Sequence, residues 1–472
     1  MYRKAMSKTM TALLAAALTM SAGTVSAETS PSAQTNPSSH AFDNKIIKRI
    51  NADNMYNTIA LLSQQPREAG TEGEWQAVQY IKSQFEKYGY ETELQPFPIY
   101  DAKEGATGTA SAGGKDLDVH VFSGSFNGDV TSELVYVKKA YPEEVPDSVK
   151  GKIALVERGD LSFIEKMENV IDKGAVGVIM FNREGASGND FGVVDPGQNI
   201  PAVAISREQG LELVDQLKSG PVGASIHVEG SGFIEKTSYN VIASKKPNPN
   251  KDTGQIVSIG AHHDSVHGGP GANDDASGVS AVLELARVMA DTPTDTELRF
   301  VTFGAEEKGL LGSYHYASEL TKEEVKNHVA HFQMDMIGSR NAGGDYPAGG
   351  LIMFTIDGKP NLVTNLGNSA GARTASENIP YGHLGRSDHE PFQLLGIPSA
   401  LFIHAPLEPE YHTPQDTIEH IDKDKLKQAA DIVGAAAYQI ARPDTPALEN
   451  ARVAPPNPDT ITPPSDPDRP VD

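Results

Sequence analysis

The stretch QIVSIGAHHDSV, residues 255–266, decides how this chain is read. Its Gln255-Ile256-Val257 run opens a buried strand. Two histidines and an aspartate, His262, His263 and Asp264, stand side by side where that strand should end. In an open α/β sheet, ligands bind outside the carboxyl ends of the strands. The residues that follow each apolar run are therefore the ones to compare.

Past His262, the segment PGANDDASG carries Asp274 and Asp275, and a helix follows with Val279, Val282, Leu283, Ala286 and Met289 at helical spacing. LRFVTFGA is followed by Glu306 and Glu307, AHFQM by Asp335, and PSALFIHAP by Tyr411 and His412. Taken singly, each has a plain explanation: a solvated Glu-Glu loop, an aspartate capping a helix, a surface or core histidine. Gathered on one sheet edge, the carboxylates would repel one another unless a cation neutralised them. Histidine and carboxylate ligands without thiolate suit Zn²⁺, with Mn²⁺ and Co²⁺ as alternatives.

The chain has 472 residues, enough for two or three domains, and a formal net charge of −23. That acidity speaks against nucleic acid and anionic membranes as partners. Arg3, Lys4 and Lys8, the apolar Ala12–Met20 run and Val25-Ser26-Ala27 read as a signal peptide over residues 1–27, so a secreted, extracellular protein is expected. There is no cysteine, so stability must come from packing and bound metal rather than disulfides. No later run is long enough to span a bilayer, and no membrane anchor is expected.

Composition divides the rest. Residues 28–40 are polar, Pro/Ser-rich and expected to be a disordered leader; residues 443–472 read as a disordered Pro/Asp-rich tail. Helical periodicity covers Ile46 to Leu62 and Trp75 to Phe85, followed by a strand over Glu91–Pro98. Between 116 and 235 the texture changes. A strand at Ile153–Val156, a helix over Phe163–Asp172 and a strand over Gly174–Phe181 make a β-α-β unit, and a further strand and helix follow. The phrases KIALVERGDLSF and KGAVGVIMFN resemble the protease-associated (PA) domain found inserted in secreted peptidases.

The ordered set GAHHDSV, PGANDDASG, FGAEEKGLLGS, QMDMIG, GRSDHEPF and YHTPQDT resembles the co-catalytic di-zinc aminopeptidases of the M28 family, in particular secreted bacterial members with a PA insert. The resemblance implies an α/β fold: a zinc-exopeptidase (phosphorylase/hydrolase-like) α/β/α sandwich with a mixed central sheet, formed by residues 41–115 and 236–442, plus the smaller α/β PA insert. It implies two Zn²⁺ per chain, with His262 and Asp335 on one ion, Glu307 and His412 on the other, and Asp274 bridging. It implies Glu306 as general base acting on a metal-bridging water, Tyr411 steadying the oxyanion, and a cis peptide at Asp274–Asp275. The family's H-x-D motif makes His262 the ligand and His263 a packed or surface residue. Asp264, sharing a strand face with His262, would hold its second ring nitrogen. Arg386 would shape the end of the site through its carbonyl. Asp388 would either support His412 or cap the helix near Pro391. Met353, Phe354, Tyr381 and Phe402 are expected among the pocket walls. The implied substrates are peptides with a free N-terminus, and a monomer is expected. The rival readings are a carboxypeptidase or dipeptidase, a glutaminyl cyclase with one working zinc, a non-catalytic binding protein and a serine peptidase. The first lacks an obvious basic cluster for an α-carboxylate, the next two sit poorly with a complete ligand set, and the last lacks a nucleophile motif.

Overall fold

The structure is a computed structural model that describes residues 37–342, 350–375, 377–405, 407–449 and 451–454. The expected signal peptide and the end of the tail lie outside the described residues. The described chain forms two compact units, one over Pro98–Lys236 and the other joining residues up to Phe97 with those from Thr237 onward. Strands β1 (Glu91–Ala102) and β10 (Phe233–Lys245) carry the chain between them.

The inserted unit is built on an eight-stranded sheet of order β3-β2-β9-β5-β6-β7-β8-β4. Its strands are β2 (Thr107–Ala112), β3 (Lys115–Leu117), β4 (Val119–Val121), β5 (Gly128–Tyr136), β6 (Ile153–Glu157), β7 (Gly177–Phe181), β8 (Ala202–Ile205) and β9 (Gly223–Glu229). β5 to β8 are parallel, and the expected β-α-β unit lies there. Its helix, Phe163–Asp172, starts with a capping box between Ser162 and Glu165. Alternation along the strands separates two cores, with Ala154, Val156, Val178 and Met180 on one face and Ile153, Leu155, Ile179 and Phe181 on the other. The unit starts at Pro98 rather than at the expected 116. β2 pairs antiparallel with β9, Thr107 opposite Glu229, which ties the earlier residues into this sheet. The small polar residues of that strand give no strong apolar signal.

The second unit is built on a mixed sheet of order β1-β10-β12-β11-β13-β16-β14-β15. Its remaining strands are β11 (Ile256–His262), β12 (Glu297–Phe303), β13 (His328–Met334), β14 (Leu351–Thr355), β15 (Tyr381–His383) and β16 (Ser399–His404). The central four, β12, β11, β13 and β16, are parallel. Both faces of β11 are buried: Val257, Ile259 and Ala261 join the large helix-covered core, while a Cβ on Gly260 would meet Gln333, His331 and Phe303 on the other face. The first face packs helices that include Ala52–Leu62, Glu72–Lys87, Ala276–Met289 and Lys423–Ala441. The second packs Tyr316 and Phe392, from helices Leu311–Glu319 and His389–Leu394, against Phe303. This is the expected α/β/α arrangement. No helix among the described residues is long and apolar enough to cross a membrane.

Two expectations of disorder are corrected. The expected leader, 28–40, ends early, because a helix runs over Pro37–Ile47. Proline fits the first helical turn, where a missing N–H costs nothing. The start of the expected tail is held in place: Asp444 N donates to Asp295 Oδ2 at 2.7 Å, Leu448 and Gln255 exchange bonds at 2.8 and 2.7 Å, and Val453 N donates to Gly396 O at 3.2 Å.

Phe300 lies at the centre of the helix-covered core, fully buried and edge-on to Tyr90 at 5.4 Å. Phe300→Ala should destabilise this unit by about 3–5 kcal/mol. The only tryptophan, Trp75, packs at a tilt against Tyr239 in the same unit and reports its unfolding by fluorescence in a denaturant titration. An unchanged midpoint would contradict this account of the core.

Candidate metal centre

Parallel register brings the ligand segments together. His262 lies opposite Phe303, and Gly260 opposite Gln333, so β11, β12 and β13 end at one edge. Beyond that edge come Glu306 and Glu307, Asp335, and further along His412. Left-handed backbone lies at or beside these residues, with φ of 53° at Ala305, 59° at Met336 and 57° at His412, and Arg386 has φ of 64°. Left-handed conformations at non-glycine residues are held against a local cost and cluster at functional sites. The Asp274–Asp275 peptide is cis, as the resemblance implies.

The acidic residues at this edge divide by what their oxygens do. Asp264 accepts from Glu306 N at 3.0 Å and Glu307 N at 3.2 Å. Asp275 accepts from His262 N at 3.2 Å, Gly278 N at 2.8 Å and Met336 N at 3.1 Å. Asp416 accepts from Asn273 N at 2.8 Å and Asp274 N at 3.0 Å. These carboxylates are occupied by backbone amides and act as staples between segments.

Asp274, Glu307 and Asp335 behave differently. One oxygen of Asp274 lies 3.1 Å from His262 Nε2, and the other lies 3.1 Å from His412 Nε2. Glu307 Oε2 is 3.2 Å from His412 Nε2, and Asp335 Oδ1 is 3.6 Å from His262 Nε2. Ser387 Oγ donates to the other oxygen of Asp335 at 2.8 Å. Glu307 Oε1 and Asp335 Oδ1 are buried and meet no hydrogen-bond donor. Buried acceptors without donors, beside imidazole nitrogens, fit a cation. Ligand atoms of His262, Asp274 and Glu307 lie within 4.8 Å of one another, as do those of His262, Glu306 and Asp335. The two oxygens of Asp274 thus face two different histidines, His262 and His412.

Electrostatics agree with that reading. Burial pushes the Glu307 carboxyl up to about 7, with the charge of Asp274 adding to it. Burial raises Glu306 well above its ordinary range, and Glu307, Asp388 and Asp335 reinforce the shift against the pull of His262. Burial disfavours the His412 imidazolium, but bonds to Asp274 and Glu307 outweigh it and carry its pKa up to about 10. In the metal-free protein these groups hold protons that a divalent ion would displace.

Some sequence expectations land elsewhere. Asp264 approaches His262 Nδ1 at 3.4 Å, but its oxygens are shared with the amides of Glu306 and Glu307, so it joins two strand ends as well as flanking the ligand. His263 is packed: its Nδ1 meets Thr302 Oγ1 at 3.1 Å. Asp388 is not placed at His412. It accepts from Gln333 Nε2 at 3.3 Å and bonds Ser313, and although it precedes helix His389–Leu394 its side chain does not cap that helix. Arg386 is exposed, and its amide donates to Glu390 Oε2 at 3.1 Å. Tyr411 stacks on the His412 ring at 3.7 Å. Met353 and Phe402 do not line the site. Alternation turns them into the helix-covered core, while Ile352, Phe354, Leu401 and Ile403 face Tyr411. Tyr381 lies exposed on β15. Asp275 and Asp416 stood inside the quoted motifs without an assigned role. The Asp-x-x-Gly spacing of Asp275 to Gly278 is the helix-start signal that could have flagged the first.

Comparison with known proteins places these observations. The profile of Peptidase family M28 matches residues 240–437, and that of the PA domain matches residues 130–213. Aminopeptidase YwaD of Bacillus subtilis (strain 168) is 37% identical over 93% of this chain and 95% of its own length. The structure titled aminopeptidase from Aneurinibacillus sp. strain AM-1 superposes with a TM-score of 0.71 at 48% identity, covering 86% of this chain and 97% of that one. BSAP, a zinc aminopeptidase from Bacillus subtilis, superposes with a TM-score of 0.60 at 35% identity, covering 88% and 99%.

The protonation of the metal-free cluster has a measurable consequence. With His412 near 10 and Glu307 near 7, zinc uptake at pH 7 should release protons. Apparent zinc affinity should therefore rise with pH through this range. Calorimetry in buffers of different ionisation enthalpy reads the proton count, and uptake without proton release would contradict the assignment.

Proposed function

The chain belongs to peptidase family M28, with a PA domain inserted in it, and from that premise we propose that it is an exported zinc aminopeptidase that removes the N-terminal residue from peptides. The observation that carries the reading is Asp274, whose two oxygens stand at 3.1 Å from the Nε2 atoms of two different ligand histidines. That is the arrangement a bridging carboxylate needs. His262 and Asp335 would hold one zinc, and Glu307 and His412 the other. When bound, the ions supply Lewis acidity that activates the attacking water and polarises the scissile carbonyl.

The protein groups divide the remaining work. Glu307 is buried, while its neighbour Glu306 keeps some exposure and reaches the His262–Asp335 side of the site. In this reading Glu306 is the general base: it takes a proton from the attacking water and passes it to the leaving amine nitrogen as the C–N bond breaks. Asp264 fixes the backbone amides of both glutamates, which separates their roles. Tyr411 is held by its stack on His412, and its hydroxyl assists the developing oxyanion. Glu306 and Asp335 supply negative charge for the substrate α-ammonium. The apolar wall of Ile352, Phe354, Leu401, Ile403 and Leu407 beside Tyr411 favours an apolar N-terminal side chain. The basic and apolar N-terminal segment supports export.

Glu306→Gln is nearly isosteric and removes only the base. It should retain zinc at the wild-type content, measured by atomic emission, while kcat/KM on a short peptide falls by about 10²–10⁴-fold. Near-normal turnover would refute the assignment of the base.

A further inference from the structure

Arg67 belongs to none of the ligand motifs, yet it is 1% exposed. It lies between helices Ala52–Leu62 and Glu72–Lys87, far in sequence from the ligands. Its Nε donates to His263 O at 2.8 Å, Nη1 to Pro270 O at 2.5 Å and Leu62 O at 3.2 Å, and Nη2 to Gly271 O at 3.0 Å. Its backbone N donates to Ser265 Oγ at 2.9 Å, and Ser265 N donates back to Arg67 O at 3.3 Å. These guanidinium bonds all go to backbone carbonyls.

The positions of those carbonyls give the contacts meaning. His263 follows the ligand His262. Pro270 and Gly271 lead into Asp274. One rigid planar fork thus grips the backbone on both sides of the loop that joins two ligands. The packing there is close: a Cβ on Gly271, whose φ is +58°, would lie 2.2 Å from Asp274 O and 3.1 Å from Arg67 Nη2. The same loop is held from the other direction by Asp416, which accepts from Asn273 N and Asp274 N and stands on the segment that carries His412. Burial works against the charge of Arg67, and Asp416, Asp264, Asp275 and Asp274 work for it.

We infer that Arg67 is a positioning residue for the metal centre: its fork fixes the spacing of His262 from Asp274, and thereby the affinity and geometry of the bound ions, without touching metal or substrate. The inference rests on the zinc reading proposed above. Lysine would keep the charge but offers a single nitrogen, which cannot satisfy carbonyls on separate segments in one plane.

The test uses the full chain with Arg67→Lys, Zn²⁺ in competition with a chromophoric chelator, and the absorption spectrum of the Co²⁺-loaded protein. Phe300→Ala serves as a destabilised control. Arg67→Lys should fold, bind zinc about 10–100-fold more weakly, the range typical of lost outer-shell support, and show a shifted Co²⁺ spectrum. Phe300→Ala should keep the wild-type affinity and spectrum. Wild-type affinity and spectrum in Arg67→Lys would overturn the inference, as would losses in both variants that simply track stability. If Arg67→Lys does not fold, Arg67→Gln, which keeps a planar donor but loses the fork, replaces it, and wild-type affinity and spectrum there would overturn the inference equally. The readout is metal binding, so a wild-type protein that fails to hydrolyse peptides would count against the aminopeptidase reading and not against Arg67.

Discussion

Carboxylates crowded at the end of the buried parallel strands of a mixed sheet set the terms for the rest of this structure. A carboxylate taken from water must find hydrogen bonds, positive charge or a proton. Asp264, Asp275 and Asp416 find backbone amides, and in doing so they tie together strand ends and loops that are distant in sequence. Asp274, Glu307 and Asp335 keep oxygens turned toward histidines or toward no donor. The staples allow the open carboxylates to persist, because they hold the backbone at His262, Asp274, Glu306, Glu307 and Met336. This division separates, by geometry, the carboxylates held by backbone amides from those left open.

Much of this could be read in the sequence, for a physical reason. Parallel central strands are buried on both faces, so they appear as apolar runs, and a site at their carboxyl ends appears as polar residues just after each run. The phrases around His262, Asp274, Glu306–Glu307, Asp335 and His412 follow that rule. The H-x-D motif of the resembled family set His262 apart from its neighbour His263, which the structure buries against Thr302.

What the sequence did not reveal depends on tertiary detail. The facing of Met353 and Phe402 is set by which side of β14 and β16 meets the helices, and neither strand announces that in its own residues. Asp388 stands in the motif but its side chain reaches Gln333 and Ser313, a choice made by packing. The early boundary of the inserted unit rests on β2, whose small polar residues carry little apolar signal. Arg67 gave no warning, because its partners are carbonyls brought close only by the completed fold.

The central claim is a metal-dependent reaction at a free N-terminus. It is tested most directly by following hydrolysis of leucine p-nitroanilide beside its N-acetylated form, before and after chelation and again after zinc is restored. The account predicts cleavage of the free-amine compound alone, lost with the chelator and regained with zinc. Equal cleavage of the acetylated compound, or activity that survives complete removal of metal, would contradict it.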